Sequence, residues 1–66
     1  MDTLGTLIRN LRKERKLPLR EVAGFLHMDQ AILSKIERGL RNITREQIIK
    51  LADYFKVNQE DLLVAW

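Results

Sequence analysis

Two short apolar stripes on either side of a break at His27-Met28-Asp29 constrain this 66-residue chain more than any other feature. Before the break, Leu19, Val22, Ala23 and Leu26 recur at helical spacing; after it, Leu33 and Ile36 do the same. Each segment therefore has one face to bury. Asp29 suits an N-cap whose carboxylate accepts the N–H of Ile32, with Met28 and Leu33 as the apolar staple around it. The second helix is predicted over residues 30–38. Ala23, ten residues before Leu33, is small enough for two short helices to cross closely at a steep angle. The spacing thus predicts two helices joined by a tight turn, with the rest of the chain as their support.

The flanking segments are helical by the same test. Asp2 or Thr3 can cap a first helix with a Leu4, Leu7, Ile8, Leu11 stripe running to about Lys16, although Gly5 weakens its start. Pro18 presets φ for the next first turn, and His27 is read as a turn residue in the left-handed region. Gly39 suits a helix C-cap, and residues 40–43 form a short loop. Thr44-x-x-Gln47 is a capping box with Ile43 and Ile48 as its staple, and Ile48, Leu51, Ala52 and Phe55 give the next stripe. Asn58, with Val57 and Leu62, repeats the device for a last helix. No strand pattern, internal repeat or linker interrupts the series, so the expected fold is all-α: five helices in a single domain spanning residues 1–66.

At this length one core only just supports folding, and without cysteine there is no disulfide to help it. The absence of cysteine is consistent with a reducing cytosol, and cytoplasmic residence is the expectation. One histidine makes no metal-ligand cluster, and neither a metal nor any other cofactor is expected. The apolar runs are too short for a signal peptide or a membrane span. Ser34 is the only serine and His27 has no catalytic partner in view, so the chain is read as a non-enzyme. Charge is unevenly placed. Residues 1–45 carry ten Lys or Arg against five acids, while residues 46–66 carry two against four. Lys13, Arg15 and Lys16 taken alone read as a solvated face, but the basic half as a whole calls for a polyanion, and duplex phosphate is the obvious one.

Ala23, His27 and Leu33, followed by Leu33-Ser-Lys-Ile-Glu-Arg-Gly39, resemble the helix-turn-helix of the lambda-repressor-like family, the Cro or xenobiotic-response-element type. The resemblance covers nearly the whole chain. It implies that Arg12 pairs with Glu37, tying the first helix to the end of the recognition helix. It implies base contacts at Gln30, Ala31 and Lys35, with Ser34 and Ile32 alongside. Three positions depart from the family pattern. Pro18 stands where Ser or Thr is common, His27 where Gly is usual, and Leu19 where many members have a Gln that holds a phosphate and braces the first recognition-helix residue. Arg20 is a substitute contact for that lost Gln.

The expected function is sequence-specific binding of double-stranded DNA, with helix 30–38 in the major groove. Gln30 can fork onto adenine and Lys35 can donate to guanine, while Ala31 and Ile32 can touch thymine methyls. Arg20, Arg38, Arg41, Asn42 and Arg45 are the candidates for phosphate. The rival is a protein-interaction module that keeps the fold without reading bases, for which Leu19, Ala31 and Ile32 speak. Proteins of this kind serve as restriction-modification controllers, antitoxins or phage-type repressors, so a toxin or other polypeptide partner stays open. A homodimer is expected, because one module reaches only a few base pairs. Leu63, Val64 and Trp66 would supply its apolar contact, unless Trp66 folds back onto Phe55 or Tyr54.

Overall fold

The computed structural model describes residues 3–66, and these form five helices: α1 (Leu4–Glu14), α2 (Leu19–Phe25), α3 (Gln30–Glu37), α4 (Arg45–Phe55) and α5 (Gln59–Leu63). No strand occurs among the described residues. The all-α expectation therefore holds. Each helix sends at least one side chain into a common core: Ile8, Val22, Leu33, Leu62, and from α4 Ile48, Leu51 and Phe55, are all essentially inaccessible to solvent. The stripes predicted from spacing are the buried faces, although Leu7, Leu11 and Leu19 lie at the rim, half covered. Phe25 at the end of α2 stacks on Tyr54 of α4, with ring centroids 4.2 Å apart, and extends the apolar contact to the surface.

Helix starts follow the side chains able to accept the first free N–H groups. Thr3 caps α1 by accepting from the Thr6 N–H; the alternative cap, Asp2, lies outside the described residues. The capping box of α4 is complete, with Gln47 N–H donating to Thr44 Oγ1 and Thr44 N–H to Gln47 Oε1, each at 3.1 Å. Asn58 accepts from the Glu60 N–H and starts α5. Pro18 precedes α2 without a side-chain cap, as its chemistry requires.

Four helices end in one and the same way. The N–H groups of Leu17, Met28, Leu40 and Val57 return to the carbonyls of Arg12, Ala23, Lys35 and Ala52, closing a six-residue left-handed turn. The residue at the left-handed position is Lys16, His27, Gly39 and Lys56 in turn, with φ of 54°, 57°, 77° and 57°. His27 takes the role expected of it, and Gly39 ends α3 from the left-handed position one residue beyond its C-cap, Arg38. The first helix, however, stops at Glu14 rather than continuing to Lys16, because Lys16 itself has left the helical region.

Candidate nucleic-acid interface

The α2–α3 pair is set by its turn. Val22 and Ala23 on α2 are buried against Leu33 on α3, and the small Ala23 side chain lets the two helices approach. His27 reverses the chain, and Asp29 then caps α3 by accepting the Ala31 N–H at 2.9 Å. This corrects the expected partner, Ile32, by one residue. The Asp29 carboxylate reaches N2 of the helix, and the Ile32 N–H bonds instead to the Asp29 carbonyl. α3 runs Gln30–Glu37, and Arg38 is its C-cap rather than its last helical residue.

Burial divides α3 along its length. Leu33, Ile36 and Glu37 are buried, and Ile32 is half-buried against the core. Gln30, Ala31, Lys35 and Arg38 are exposed, with Ser34 half-buried among them. The spacing i, i+1, i+4, i+5, i+8 puts these five on one side of a helix, so α3 presents outward a short strip bearing an amide, a methyl, a hydroxyl and two cations. Of the predicted base readers, Gln30, Ala31 and Lys35 face solvent freely. Ser34 stands at the edge of the strip, and Ile32 spends part of its surface on the core.

The strip is held in place from behind. Arg12 on α1 donates Nε to Glu37 Oε2 at 2.8 Å and Nη2 to Glu37 Oε1 at 3.1 Å, while its Nη1 donates to the Leu17 carbonyl. Both side chains are largely buried, 13 % and 5 % exposed, and no buried side-chain polar atom among the described residues lacks a partner. Hydrogen bonding to Glu37, with its charge as a lesser contribution, raises the Arg12 guanidinium above its ordinary value against the opposing loss of hydration. The pair implied by the family resemblance is thus present in its bidentate form.

Gly5 makes the same junction closer. A methyl group there would sit 2.6 Å from the Glu37 carbonyl oxygen and closer still to that of Ile36. Its role is therefore a place for backbone to meet backbone, which the sequence reading missed when it saw only a weakened helix start. A glycine on the predicted apolar face of a helix was the available signal.

The remaining candidates lie on the segments that flank α3 in the chain. Arg20 in the first turn of α2, Arg38, Arg41 and Asn42 in the loop after α3, and Arg45 opening α4 are all exposed. Leu19 lies half-buried beside them and offers no polar group. Two contacts were not foreseen. Arg15, grouped with the solvated lysines, instead donates Nη2 and Nε to the Phe55 carbonyl at 2.6 and 3.2 Å and lies over the Phe55 ring, closing the C-terminus of α4. Trp66 folds back, but onto the 40–44 loop rather than onto Phe55 or Tyr54: its indole N–H donates to the Ile43 carbonyl at 2.8 Å. Its ring still leaves 56 % of the residue exposed, next to Val64 at 87 %. Leu63 is half-buried.

No group of three or more His, Cys, Asp or Glu side chains among the described residues is arranged to hold a metal ion, and no described helix is long and apolar enough to cross a membrane.

Five helices, a buried Arg–Glu tie and an outward polar strip on the third helix define a helix-turn-helix domain. The chain belongs to the helix-turn-helix family of the lambda-repressor-like, xenobiotic-response-element type, whose model matches residues 8–62. It is 36 % identical over 64 residues to the HTH-type transcriptional repressor RghR of Bacillus subtilis (strain 168), covering 96 % of this chain and 47 % of that protein. It is 38 % identical over 66 residues to a second regulator of the same organism, RghRB, covering 98 % of this chain and 48 % of that one. The HTH-type transcriptional regulator DdrOP3 of Deinococcus deserti is 38 % identical over 56 residues, covering 85 % and 43 %. The chain thus spans about half the length of the curated relatives it matches. No solved structure matches it.

Proposed function

We propose that the chain binds double-stranded DNA sequence-specifically and regulates transcription, with α3 entering the major groove. The observation that carries this reading is the division of α3: its inner face is buried and tied to α1, while Gln30, Ala31, Ser34 and Lys35 form one outward strip, with exposed arginines on the flanking segments. A helix with its side chains is about 10–12 Å across, which matches the roughly 12 Å width of the major groove. Gln30 and Lys35 read base edges, Ala31 and the exposed part of Ile32 meet thymine methyls, and Ser34 supports them. Arg20, Arg38, Arg41, Asn42 and Arg45 hold phosphates and fix the register. The names of RghR and RghRB favour a repressor or regulator role over an antitoxin or a restriction-modification controller, and such a role is carried out in the cytoplasm. Binding-site selection from random duplexes tests it: enrichment of a common motif is expected, and failure to enrich any motif would overturn base reading.

Size supports binding as a two-fold homodimer. The longest dimension of the molecule is 25 Å, shorter than the roughly 34 Å of one DNA turn, so a single copy reads only a few base pairs. Leu63, Val64 and Trp66 supply the contact. The indole N–H is already satisfied by Ile43, which leaves an apolar ring surface for a partner. Sedimentation over a concentration series is expected to show dimer formation that Val64→Asp abolishes. The exposed Val64 and Trp66 also favour a second reading, a toxin or other polypeptide partner in place of the second copy, for which sedimentation would show a monomer at every concentration.

A further inference from the structure

α1 meets the C-terminal end of α3 through residues on one face, spaced i, i+4 and i+7: Gly5, Arg9 and Arg12. Gly5 lies against the Ile36 and Glu37 carbonyls, and Arg12 is bonded to Glu37. Arg9, between these two fixed contacts, is held beside the end of α3, yet it is exposed and makes no hydrogen bond or ion pair with any described residue. Across from it, Arg38 donates Nε only to its own helix, at the Ser34 carbonyl, 3.4 Å away. Between them opens a cleft of about 220 Å³ lined by Arg9, Arg12, Leu19, Ser34, Glu37 and Arg38. That is several times the roughly 30 Å³ share of a water molecule. Arg12 and Glu37 cancel each other's charge inside it. Two unspent guanidinium groups and a hydroxyl therefore converge on a cleft whose α2 wall is the side chain of Leu19, which can bind no anion.

We propose that Arg9 and Arg38 together grip one DNA backbone phosphate in this cleft, so that α1 supplies the anchor that Leu19 cannot. The inference rests on DNA binding by α3 and adds a contact from a helix outside the helix-turn-helix. A phosphate oxygen pair accepts from planar guanidinium forks on two sides without displacing any side chain already bonded. Because the contact is to the backbone, it acts on every sequence alike. The two arginines then act as a unit: removing either loosens the other's hold.

The test measures binding of random-sequence duplex to the wild type and to Arg9→Ala, Arg9→Gln, Arg38→Ala, the Arg9/Arg38 double variant and Lys13→Ala over a range of salt. Lys13 lies one turn further along α1, carries the same charge and does not line the cleft. Arg9→Ala and Arg9→Gln are each expected to weaken binding about tenfold with unchanged thermal unfolding. Lys13→Ala is expected to weaken it no more than about threefold. In the double variant the losses do not multiply, and the slope of log affinity against log salt becomes shallower by about 0.9. A loss from Lys13→Ala equal to that from Arg9→Ala would reduce the effect to general attraction and overturn the proposal. So would losses that multiply, or Arg9 variants that melt earlier but bind as well as the wild type. Wild-type chain that binds no duplex would overturn the parent reading; wild-type binding with unaffected Arg9 variants would overturn this inference alone.

Discussion

Gly5, Arg12 and Glu37 decide where α3 sits, and they do so by different physics. Gly5 contributes by having no side chain, and adding one forces two backbones apart. Gly5→Ala is expected to cost at least about 2 kcal/mol, read as a lower urea midpoint, even though alanine is the better helix former. Arg12→Ala leaves the Glu37 carboxylate buried and unpaired, at a cost of about 3 kcal/mol, a large part of what so small a core supplies. Arg12→Met combined with Glu37→Met removes both charges and should recover most of that loss. If the double variant is as unstable as the single one, the pair is not what the junction depends on. Because the Glu37 carboxylate raises the Arg12 guanidinium in the fold, rising pH removes this contribution only once the guanidinium begins to lose its proton. Its share of stability should not vary around neutral pH.

At the scale of the helices, the caps were legible because capping is local. Thr44, Gln47 and Asn58 act within three residues of themselves, so spacing alone identifies them as caps, although the partner of Asp29 lies one residue from the expected one. The stripes are local in the same sense. The helix ends were read less well. Lys16 and Lys56 take the same left-handed position as Gly39, and a lysine there gives no compositional sign. Each of those lysines carries strain that glycine would relieve, so Lys56→Gly is expected to raise stability by about 0.5–1 kcal/mol, and Gly39→Ala to lower it by about 1 kcal/mol. Thermal unfolding of the two variants checks both signs. What spacing could not reach are bonds between distant residues: Arg15 to the Phe55 carbonyl across 40 residues, and Trp66 to the Ile43 carbonyl across 23. Periodicity carries no record of such pairs. Arg12–Glu37, 25 residues apart, was available only through the family resemblance.

Over the whole molecule, the basic excess belongs to residues 1–45, which also hold α3 and the arginines of the segments flanking it. Residues 46–66 carry the acidic balance and the exposed Val64 and Trp66. The two halves meet in space, because the Trp66 indole is bonded to the Ile43 carbonyl in the loop that carries Arg41 and Asn42. Affinity for any duplex should fall with salt at about −0.9 per phosphate neutralised. Arg41→Ala should make that slope shallower by about one unit while leaving base preference intact. A flat salt response would favour a polypeptide partner instead. The central claim, that the outward strip of α3 reads sequence, has one direct measurement: affinity of the wild type and Gln30→Ala for a selected duplex and a random one at the same salt. The account predicts that Gln30→Ala loses about 1 to 3 kcal/mol on the selected duplex and almost nothing on the random one. Equal losses on both, or none on either, would contradict it.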